Sequence, residues 1–162
     1  MQPKLDRHDI AILSTLQSDG RITKARLAEK AGLSPTPAWT RLRRLEQAGL
    51  IESYGARVAL RRLTPVTEVI VEVTLANHRS ADFRIFEDAI RDTPQVTVCD
   101  ATGGGVDYIM RLVVRDVDAY QRLMDRLLDS GIGIERYFGY IVTKPVKAAP
   151  PDLSALLDPP EG

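Results

Sequence analysis

One segment of the chain has the sequence signals of a helix at both of its ends. Ser34 is a residue type that caps helix N-termini, and Pro35 suits the first helical position. Pro37 is tolerated because the N–H groups of the first turn have no intrahelical partner. Gly49 suits the residue that follows a helix. These signals predict a single helix that starts at Pro35 and stops before Gly49.

This predicted helix has an apolar face and a polar face. At about 100° per residue, one face contains Ala38, Leu42 and Leu45. The opposite face carries hydroxyl, guanidinium and amide groups, on Thr36, Thr40, Arg43, Arg44 and Gln47. Such groups read base edges and hold phosphates in the major groove of DNA. Taken alone, the pattern is also typical of an ordinary amphipathic helix with a solvated basic face.

Two shorter helices are predicted in front of this one. Residues 5–18 place apolar side chains at helical spacing, with Asp6 as a cap, and residues 23–31 form a second helix. Gly32 then makes a short connection, which is typical of a helix-turn-helix motif. In that motif the second helix crosses the DNA backbone and the third enters the major groove. We therefore predict that residues 1–55 form a helix-turn-helix DNA-binding domain rather than a helical bundle unrelated to DNA.

The charge of the chain is divided between two parts. Residues 1–62 contain twelve Lys and Arg against six Asp and Glu, whereas residues 63–162 contain ten against sixteen. Only the basic part suits a polyanion. The single cysteine, Cys99, excludes an internal disulfide. Because no segment has the apolar length of a membrane span or the pattern of a signal peptide, we expect a soluble cytoplasmic protein.

From Val66 onward the pattern changes to alternating strands and helices. Strands are predicted at residues 69–75, 96–101, 108–114 and 134–142, and helices at residues 80–91, with Ser80 as the cap, and 116–130. The order β-α-β-β-α-β is ferredoxin-like, so the predicted fold class is α+β, with a domain at residues 66–147. Both helices should cover one face of an antiparallel sheet. A second copy of the chain is the simplest cover for the other face, so we expect a homodimer.

Three flanking segments are less regular. Residues 50–54 are predicted as a short strand. Residues 56–65 form a connector that contains Arg57, Arg61 and Arg62. These arginines either contact flanking phosphates or remain solvated. Residues 148–162 are Pro-rich, so we expect a loosely ordered tail.

The remaining candidate residues indicate no catalytic or metal site. His8 and His78 have no neighbouring Cys or second His at ligand spacing. Cys99 suits a buried strand position better than a redox sensor. Trp39 lies beside the apolar face of its helix, which favours a place in the core over base stacking. No Ser–His–Asp or Cys–His set lies near a motif, so neither an enzyme nor a cofactor is predicted.

A set of residues along the chain matches the motifs of one known family. In the first half these residues are Leu5, Asp6, Asp9, Ile10, Asp19, Gly20, Arg21, Ile22, Leu27, Ala28, Gly32, Leu33, Ser34, Arg41, Arg44, Leu45, Glu46, Gly49, Leu50, Ile51 and Tyr54. In the second half they are Gly104, Asp107, Tyr108, Ile141 and Val142. With these residues the chain resembles the Lrp/AsnC (leucine-responsive regulatory protein) family of prokaryotic transcription regulators over about residues 5–147.

The resemblance implies a winged helix-turn-helix joined to a ferredoxin-like effector domain. It implies dimers that form through the effector domains and assemble into octamers or other multiples. It also implies that a small molecule, usually an amino acid, binds at contacts between dimers, near the Gly-rich loop between the second and third strands. The family commonly has Thr or Ser where this chain has Gly103. The implied function is a sequence-specific DNA-binding transcription regulator that responds to an amino acid or related small molecule.

The candidate DNA contacts lie on or beside the polar face of the third helix. They are Ser34, Thr36, Pro37, Thr40, Arg41, Arg43 and Arg44. Because a guanidinium can bond guanine O6 and N7 together or grip a phosphate, Arg44 and Arg41 are the leading basic contacts. Arg41 lies at the flank of this face, so we expect it to meet the DNA backbone. A dimer would read two pseudo-palindromic half-sites spaced by about 10 bp or a multiple of it.

The candidate effector contacts lie in the Gly-rich loop and at its end. They are Gly103, Gly104, Gly105, Asp107 and Tyr108. Glycines allow backbone N–H groups to approach a carboxylate closely, and Asp107 could pair with an α-ammonium group. The alternative is a tight hairpin turn in which Asp107 caps its own loop. Alternatives for the whole protein are a ligand-independent architectural DNA-binding protein, and a metabolic enzyme or amino-acid-binding module whose helical part docks protein.

Overall fold

The computed structural model describes residues 4–157, which fold into two compact units. The N-terminal unit contains the described residues of Met1–Arg57 and of Lys147–Gly162. The C-terminal unit is Val58–Val146. The division between them therefore falls inside the basic connector that the sequence predicts.

The N-terminal unit is built on the three predicted helices, which are α1 (Arg7–Ser18), α2 (Lys24–Lys30) and α3 (Pro35–Gln47). Asp6 caps α1 through a capping box in which the carboxylate of Asp9 accepts the N–H of Asp6 at 3.1 Å. Thr23 caps α2. The apolar faces of the helices meet in a core that includes Ile12, Leu13, Leu27, Ala31, Leu42 and Leu45. The predicted helix-turn-helix is confirmed.

Two details of this unit differ from the prediction. Ser34 occupies the N-cap position of α3, but its side chain makes no capping bond. Pro37, at the third helical position, has no N–H to donate to it. Residues 50–54 do not form the predicted strand, because no other described segment pairs with them to satisfy their backbone groups. Tyr54 instead donates its hydroxyl proton to Glu46 Oε1 at 2.8 Å.

The C-terminal unit is a four-stranded antiparallel sheet with two long helices. In chain order its elements are α4 (Leu60–Leu63), β1 (Thr67–Leu75), α5 (Ser80–Arg91), β2 (Val96–Ala101), β3 (Tyr108–Val114), α6 (Val117–Asp129) and β4 (Ile134–Ile141). The strand order is β2-β3-β1-β4, with Val71 opposite Met110 on one side and Gly139 on the other. This confirms the α+β ferredoxin-like arrangement. The predicted cap of α5 is one residue late, because Arg79 rather than Ser80 has the N-cap conformation.

Both long helices pack on one face of the sheet. There β4 runs directly beneath α6, and a Cβ at Gly139 would lie 2.0 Å from the hydroxyl oxygen of Tyr120. Only glycine allows this close approach of strand and helix. The opposite face carries the exposed side chains of Ile109, Phe138 and Tyr140. As predicted, no helix or strand of the C-terminal unit's described residues covers this second face of the sheet.

The C-terminal segment returns to the N-terminal unit and ends in a short helix, α7 (Leu153–Leu156). Leu153 packs against the apolar core of that unit. The Arg57 guanidinium donates to the carbonyl oxygen of Ala148 at 3.1 Å. The described part of the expected loose tail is therefore ordered by these contacts. Residues 158–162 of that tail lie outside the described residues.

Candidate nucleic-acid interface and effector site

The outward face of α3 carries the polar residues that the sequence assigns to it. Thr36, Thr40, Arg43 and Arg44 are all exposed. A depression of about 460 Å³ on this face is lined by Thr36, Pro37, Thr40, Arg41 and Arg44. Two hydroxyls and two guanidiniums in one depression can bond a phosphate or a base edge. The structure thus brings together five of the predicted DNA contacts, whereas Ser34 and Arg43 are not part of this lining.

Acidic residues at the start of α1 hold both arginines of this depression. Arg41 Nη1 lies 2.6 Å from Asp6 Oδ2 and 2.9 Å from Asp9 Oδ1. Arg44 Nη2 lies 2.5 Å from Asp9 Oδ2. The side chain of Asp9 is 1% exposed, whereas that of Arg44 is 56% exposed. The buried carboxylate of Asp9 therefore fixes both guanidiniums, and part of the Arg44 guanidinium remains open to solvent.

Asp6 and Arg41 are both charged near neutral pH. Partial burial acts to raise the pKa of Asp6, but the N–H of Asp9 and the guanidinium of Arg41 outweigh it and lower that pKa to about 2. The bonds from Asp6 and Asp9 raise the pKa of Arg41. Sequence reasoning missed Asp9 as a partner of the arginines. The one signal it offered was the capping-box spacing of Asp6 and Asp9, which says nothing about α3.

Trp39 contributes to the junction between α2 and α3. Its ring is half-buried against the apolar core of the N-terminal unit. Lys24 Nζ lies 3.5 Å from the ring centroid, and Arg43 Cζ lies 5.8 Å from it. Both cations are within the range of a cation–π interaction. These contacts support the core interpretation of Trp39 and tie Arg43 to the surface of its own helix.

The loop between β2 and β3 exposes the backbone of its three glycines. A Cβ added at any residue of 103–105 would meet no atom within 4 Å. The loop is closed by Thr102, whose N–H donates to the carbonyl oxygen of Asp107 at 2.8 Å. The hydroxyl of Thr102 donates to the carbonyl oxygen of Val106 at 2.6 Å. A small ligand can therefore reach the loop backbone.

The two side chains after this loop face inward. Asp107 Oδ2 accepts the N–H of Leu75 at 2.8 Å, and His78 Nε2 lies 3.0 Å from Asp107 Oδ1. Asp107 thus ties the loop to the end of β1. Tyr108 is buried, and its hydroxyl donates to Glu87 Oε1 at 2.8 Å. Burial and the Glu87 carboxylate raise the pKa of Tyr108, so this hydroxyl remains protonated.

A cleft of about 390 Å³ lies between α5 and β2, and we call it the α5–β2 cleft. Its lining residues are Glu87, Ile90, Arg91, Val96, Thr97, Val98, Cys99, Ala101 and Tyr108. Burial, with the nearby charges of Asp100 and Glu87, raises the pKa of the Cys99 thiol to about 11. This pKa disfavours the thiolate, which supports a packing role for Cys99. Sequence reasoning missed Glu87 and Arg91, since helix–strand packing rather than a motif brings them here.

The two histidines make contacts within the chain. His8 Nδ1 lies 2.7 Å from the carbonyl oxygen of Ala31, and His78 bonds Asp107. Within residues 4–157, no group of three or more His, Cys, Asp or Glu is placed to hold a metal ion. No helix in that range is both long and apolar enough to cross a membrane.

Comparison with known proteins gives matches over both units. A family model described as the Lrp/AsnC ligand binding domain matches residues 68–152, and a winged helix-turn-helix DNA-binding model matches residues 5–52. The chain is 54% identical over 144 residues to the transcriptional regulatory protein DoeX of Halomonas elongata, covering 89% of this chain and 91% of that protein. It is 36% identical over 143 residues to the leucine-responsive regulatory protein of Escherichia coli, covering 88% and 87%.

Solved structures show the same architecture. A transcriptional regulator from Neisseria meningitidis, crystallised as a complex with L-Met, matches with a TM-score of 0.86 and 30% identity, over 94% of this chain and 99% of that one. An AsnC family transcriptional regulator from Agrobacterium tumefaciens matches with a TM-score of 0.87 and 29% identity, over the same shares of the two chains. The chain therefore belongs to the Lrp/AsnC family of transcription regulators.

Proposed function

We propose that this protein is a sequence-specific DNA-binding transcription regulator whose DNA affinity or assembly changes when an amino acid binds. One observation carries the DNA-binding half of the proposal. Thr36, Thr40 and Arg44 are exposed on a single face of α3, around a common depression. Such a face supports insertion of α3 into the major groove.

Arg44 and Arg41, which both bond Asp9, have different DNA contacts in this proposal. Arg44 is 56% exposed and gives one Nη to Asp9, so its other N–H groups can bond guanine O6 and N7. Arg41 is 28% exposed and gives its Nη1 to two carboxylates, which suits it to a phosphate at the edge of the groove. Because the guanidiniums are fixed before DNA arrives, less side-chain entropy is lost on binding.

The uncovered face of the sheet supports a homodimer. Ile109, Phe138 and Tyr140 are exposed there in the single chain, and a second copy would bury them. A symmetric dimer carries two α3 helices and would read two half-sites spaced by about 10 bp or a multiple. In the proposal, dimers assemble further into octamers or other multiples.

The relatives support the amino-acid half of the proposal. The E. coli protein is named for its response to leucine, and the N. meningitidis structure is a complex with L-Met. In this chain the exposed backbone at residues 103–105 offers N–H groups to a carboxylate, next to Asp107 and Tyr108. An amino acid that binds one arrangement of dimers more tightly than another shifts the population toward that arrangement.

A gel shift tests both halves together. The purified protein is titrated onto DNA from upstream of its own gene, against a scrambled competitor, with and without each common amino acid. Specific binding that one amino acid alters is the expected result. Specific binding that no amino acid alters would overturn the effector half. Weak sequence discrimination with no amino-acid response would instead favour an architectural DNA-binding protein, and no binding at low salt would overturn the DNA half.

A further inference from the structure

We propose that two carboxylates at the start of α1 increase the DNA sequence specificity of this interface by positioning two arginines of α3 and balancing their charge. The carboxylates belong to Asp9 and Asp6, and the arginines are Arg41 and Arg44. Asp9, whose side chain is 1% exposed, is a positioning residue that acts through the guanidiniums. The inference rests on the proposed DNA-binding function, and it extends the determinants of sequence preference from α3 to α1.

The Asp9 carboxylate is fixed by the backbone at the start of α1. Its Oδ2 accepts the N–H of Asp6 at 3.1 Å, and Asp6 Oδ1 accepts the N–H of Asp9 at 3.0 Å. These reciprocal bonds form the capping box of the helix. Because no arginine takes part in them, they hold the carboxylate in place independently of α3. Asp9 is therefore a fixed anchor for the side chains that bond it.

The two ion pairs of Asp9 determine where the guanidiniums lie. Arg41 Nη1 bonds one oxygen of Asp9 at 2.9 Å, and Arg44 Nη2 bonds the other at 2.5 Å. A free arginine samples many rotamers, whereas a guanidinium bonded to a buried anchor presents its remaining N–H groups in one direction. Base recognition depends on this direction, because one guanidinium must meet guanine O6 and N7 together. Asp9 thus favours contacts of defined geometry.

The same carboxylates reduce the attraction of this surface for DNA of any sequence. Two carboxylates bond two guanidiniums, so the formal charge of the four-residue cluster is zero. Non-specific binding depends on cations that neutralise phosphates, and a cluster without net charge adds little to it. Loss of a carboxylate would leave a guanidinium free to bind any phosphate. The carboxylates therefore act against non-specific binding as well as in favour of specific binding.

Arg43 offers a comparison on the same helix. Its side chain is exposed, and no ion pair joins it to a carboxylate within residues 4–157. Its Cζ lies 5.8 Å from the centroid of the Trp39 ring. Because no carboxylate balances its charge, we expect Arg43 to bind phosphate without regard to sequence. A variant at Arg43 therefore separates a general loss of positive charge from the loss of a guanidinium that Asp9 positions.

The test compares two DNA duplexes by fluorescence anisotropy with the full-length protein at several salt concentrations. One comes from upstream of the protein's own gene, and the other has the same length and a scrambled sequence. Asp9→Asn removes the charge and keeps an acceptor oxygen for the N–H of Asp6. We expect specific binding to weaken about 10-fold, because Arg44 loses its fixed direction. Non-specific binding should strengthen about 3-fold, with a salt dependence steeper by about one phosphate contact.

Two further variants keep the test independent of net charge and of folding. Glu29→Gln removes one negative charge at an exposed position of α2, so the ratio of specific to non-specific affinity should stay unchanged. Asp6→Asn keeps a residue type that caps helices and leaves both ion pairs of Asp9 in place, so this ratio should fall less than in Asp9→Asn. Circular dichroism melting curves show whether each variant is folded. If Asp9→Asn is not, an unchanged ratio in Asp6→Asn would contradict the inference.

A double-mutant cycle shows whether Asp9 acts through Arg44. If it does, the effect of Asp9→Asn on the ratio of affinities should shrink in an Arg44→Ala background. In an Arg43→Ala background it should keep its full size, because Asp9 makes no bond to Arg43. A merely structural role of Asp9 in α1 would produce the same loss in both backgrounds.

Three results would overturn the inference. They are specific and non-specific affinities that change by the same factor in Asp9→Asn, a change of their ratio in Glu29→Gln as large as in Asp9→Asn, and equal losses in the two arginine backgrounds. Wild-type protein that binds both duplexes equally would also contradict the DNA half of the proposed function. Wild-type protein that prefers its own DNA, together with an Asp9→Asn variant of unchanged ratio, would contradict the inference alone.

Discussion

The two units hold the charges of their candidate sites in different ways. In the N-terminal unit, Arg41 and Arg44 are fixed by the carboxylate of Asp9, whose side chain is 1% exposed. In the C-terminal unit, the Asp107 carboxylate beside the Gly-rich loop accepts the N–H of Leu75 at 2.8 Å and lies 3.0 Å from His78 Nε2. The first site is a pair of fixed cations, whereas the charge of the second is a carboxylate bonded to a backbone N–H and a histidine ring. In the N-terminal unit, the buried carboxylate of Asp9, rather than the arginines themselves, fixes the positions of the guanidiniums.

Removal of Asp9 should break this preorganisation and have the largest effect on stability. Asp9→Ala deletes both ion pairs and the capping box of α1. Because the arginines are partly exposed and can be hydrated, we expect a loss of about 2–3 kcal/mol in the free energy of unfolding, below that of a fully buried pair. Urea unfolding followed by fluorescence of Trp39, the only tryptophan, reports on this unit. A loss no larger than that of Glu29→Ala, an exposed carboxylate on α2, would contradict this role.

Removal of Arg44 should separate DNA contact from assembly. Arg44→Ala deletes the more exposed of the two held guanidiniums, so we expect specific affinity for the upstream DNA to fall about 10- to 100-fold. Fluorescence anisotropy measures the affinity, and light scattering should show the assembly unchanged. Arg122→Ala, an exposed arginine on α6, is the matched control and should bind DNA normally. Unchanged affinity in Arg44→Ala would remove this arginine from the interface.

The returning C-terminal segment should stabilise the N-terminal unit by a smaller amount. Leu153→Ala removes a partly buried side chain from that core, so we expect a loss of about 1–2 kcal/mol in the unfolding monitored at Trp39. Leu156 lies on the same short helix but is 67% exposed, so Leu156→Ala should have little effect. Equal effects of the two substitutions would argue against specific packing of Leu153.

The smallest expected effect is the pH dependence that Asp6 confers. Its pKa is lowered from 3.8 to about 2 on folding, so its stabilisation is present above pH 3.8 and is lost as the pH falls through 2. Because the side chain is 49% exposed, this contribution should stay below about 1 kcal/mol. Thermal unfolding of wild type and Asp6→Asn should therefore differ at pH 5 and converge toward pH 2. A difference that stayed constant over this range would contradict the ionic role.

Sequence reasoning succeeded where local signals decide the structure. The polar face of α3 follows from its spacing, its ends from Ser34 and Gly49, and the strands from their alternation. The prediction of a strand at residues 50–54 was wrong. A strand needs a second strand to hydrogen-bond its backbone groups, and the composition of residues 50–54 does not reveal whether such a partner exists. Sequence patterns thus predicted which side chains are exposed, and not which segments pair.

Contacts between distant segments could not be predicted in this way. Asp9 and Arg44 are 35 residues apart and meet only because α1 packs on α3. Asp107 accepts the backbone N–H of Leu75, which lies 32 residues earlier. The loop sequence around Asp107 gives no sign of this contact. The α5–β2 cleft likewise arises from packing.

Hydrogen–deuterium exchange of the full-length protein tests the division between the two units most directly. Exchange would be measured alone, with the upstream DNA, and with L-leucine. We predict that DNA slows exchange in residues 33–47 and leaves residues 101–108 unchanged, whereas L-leucine slows exchange in residues 101–108. DNA protection confined to residues 58–146, with none in residues 33–47, would contradict the assignment of DNA recognition to α3.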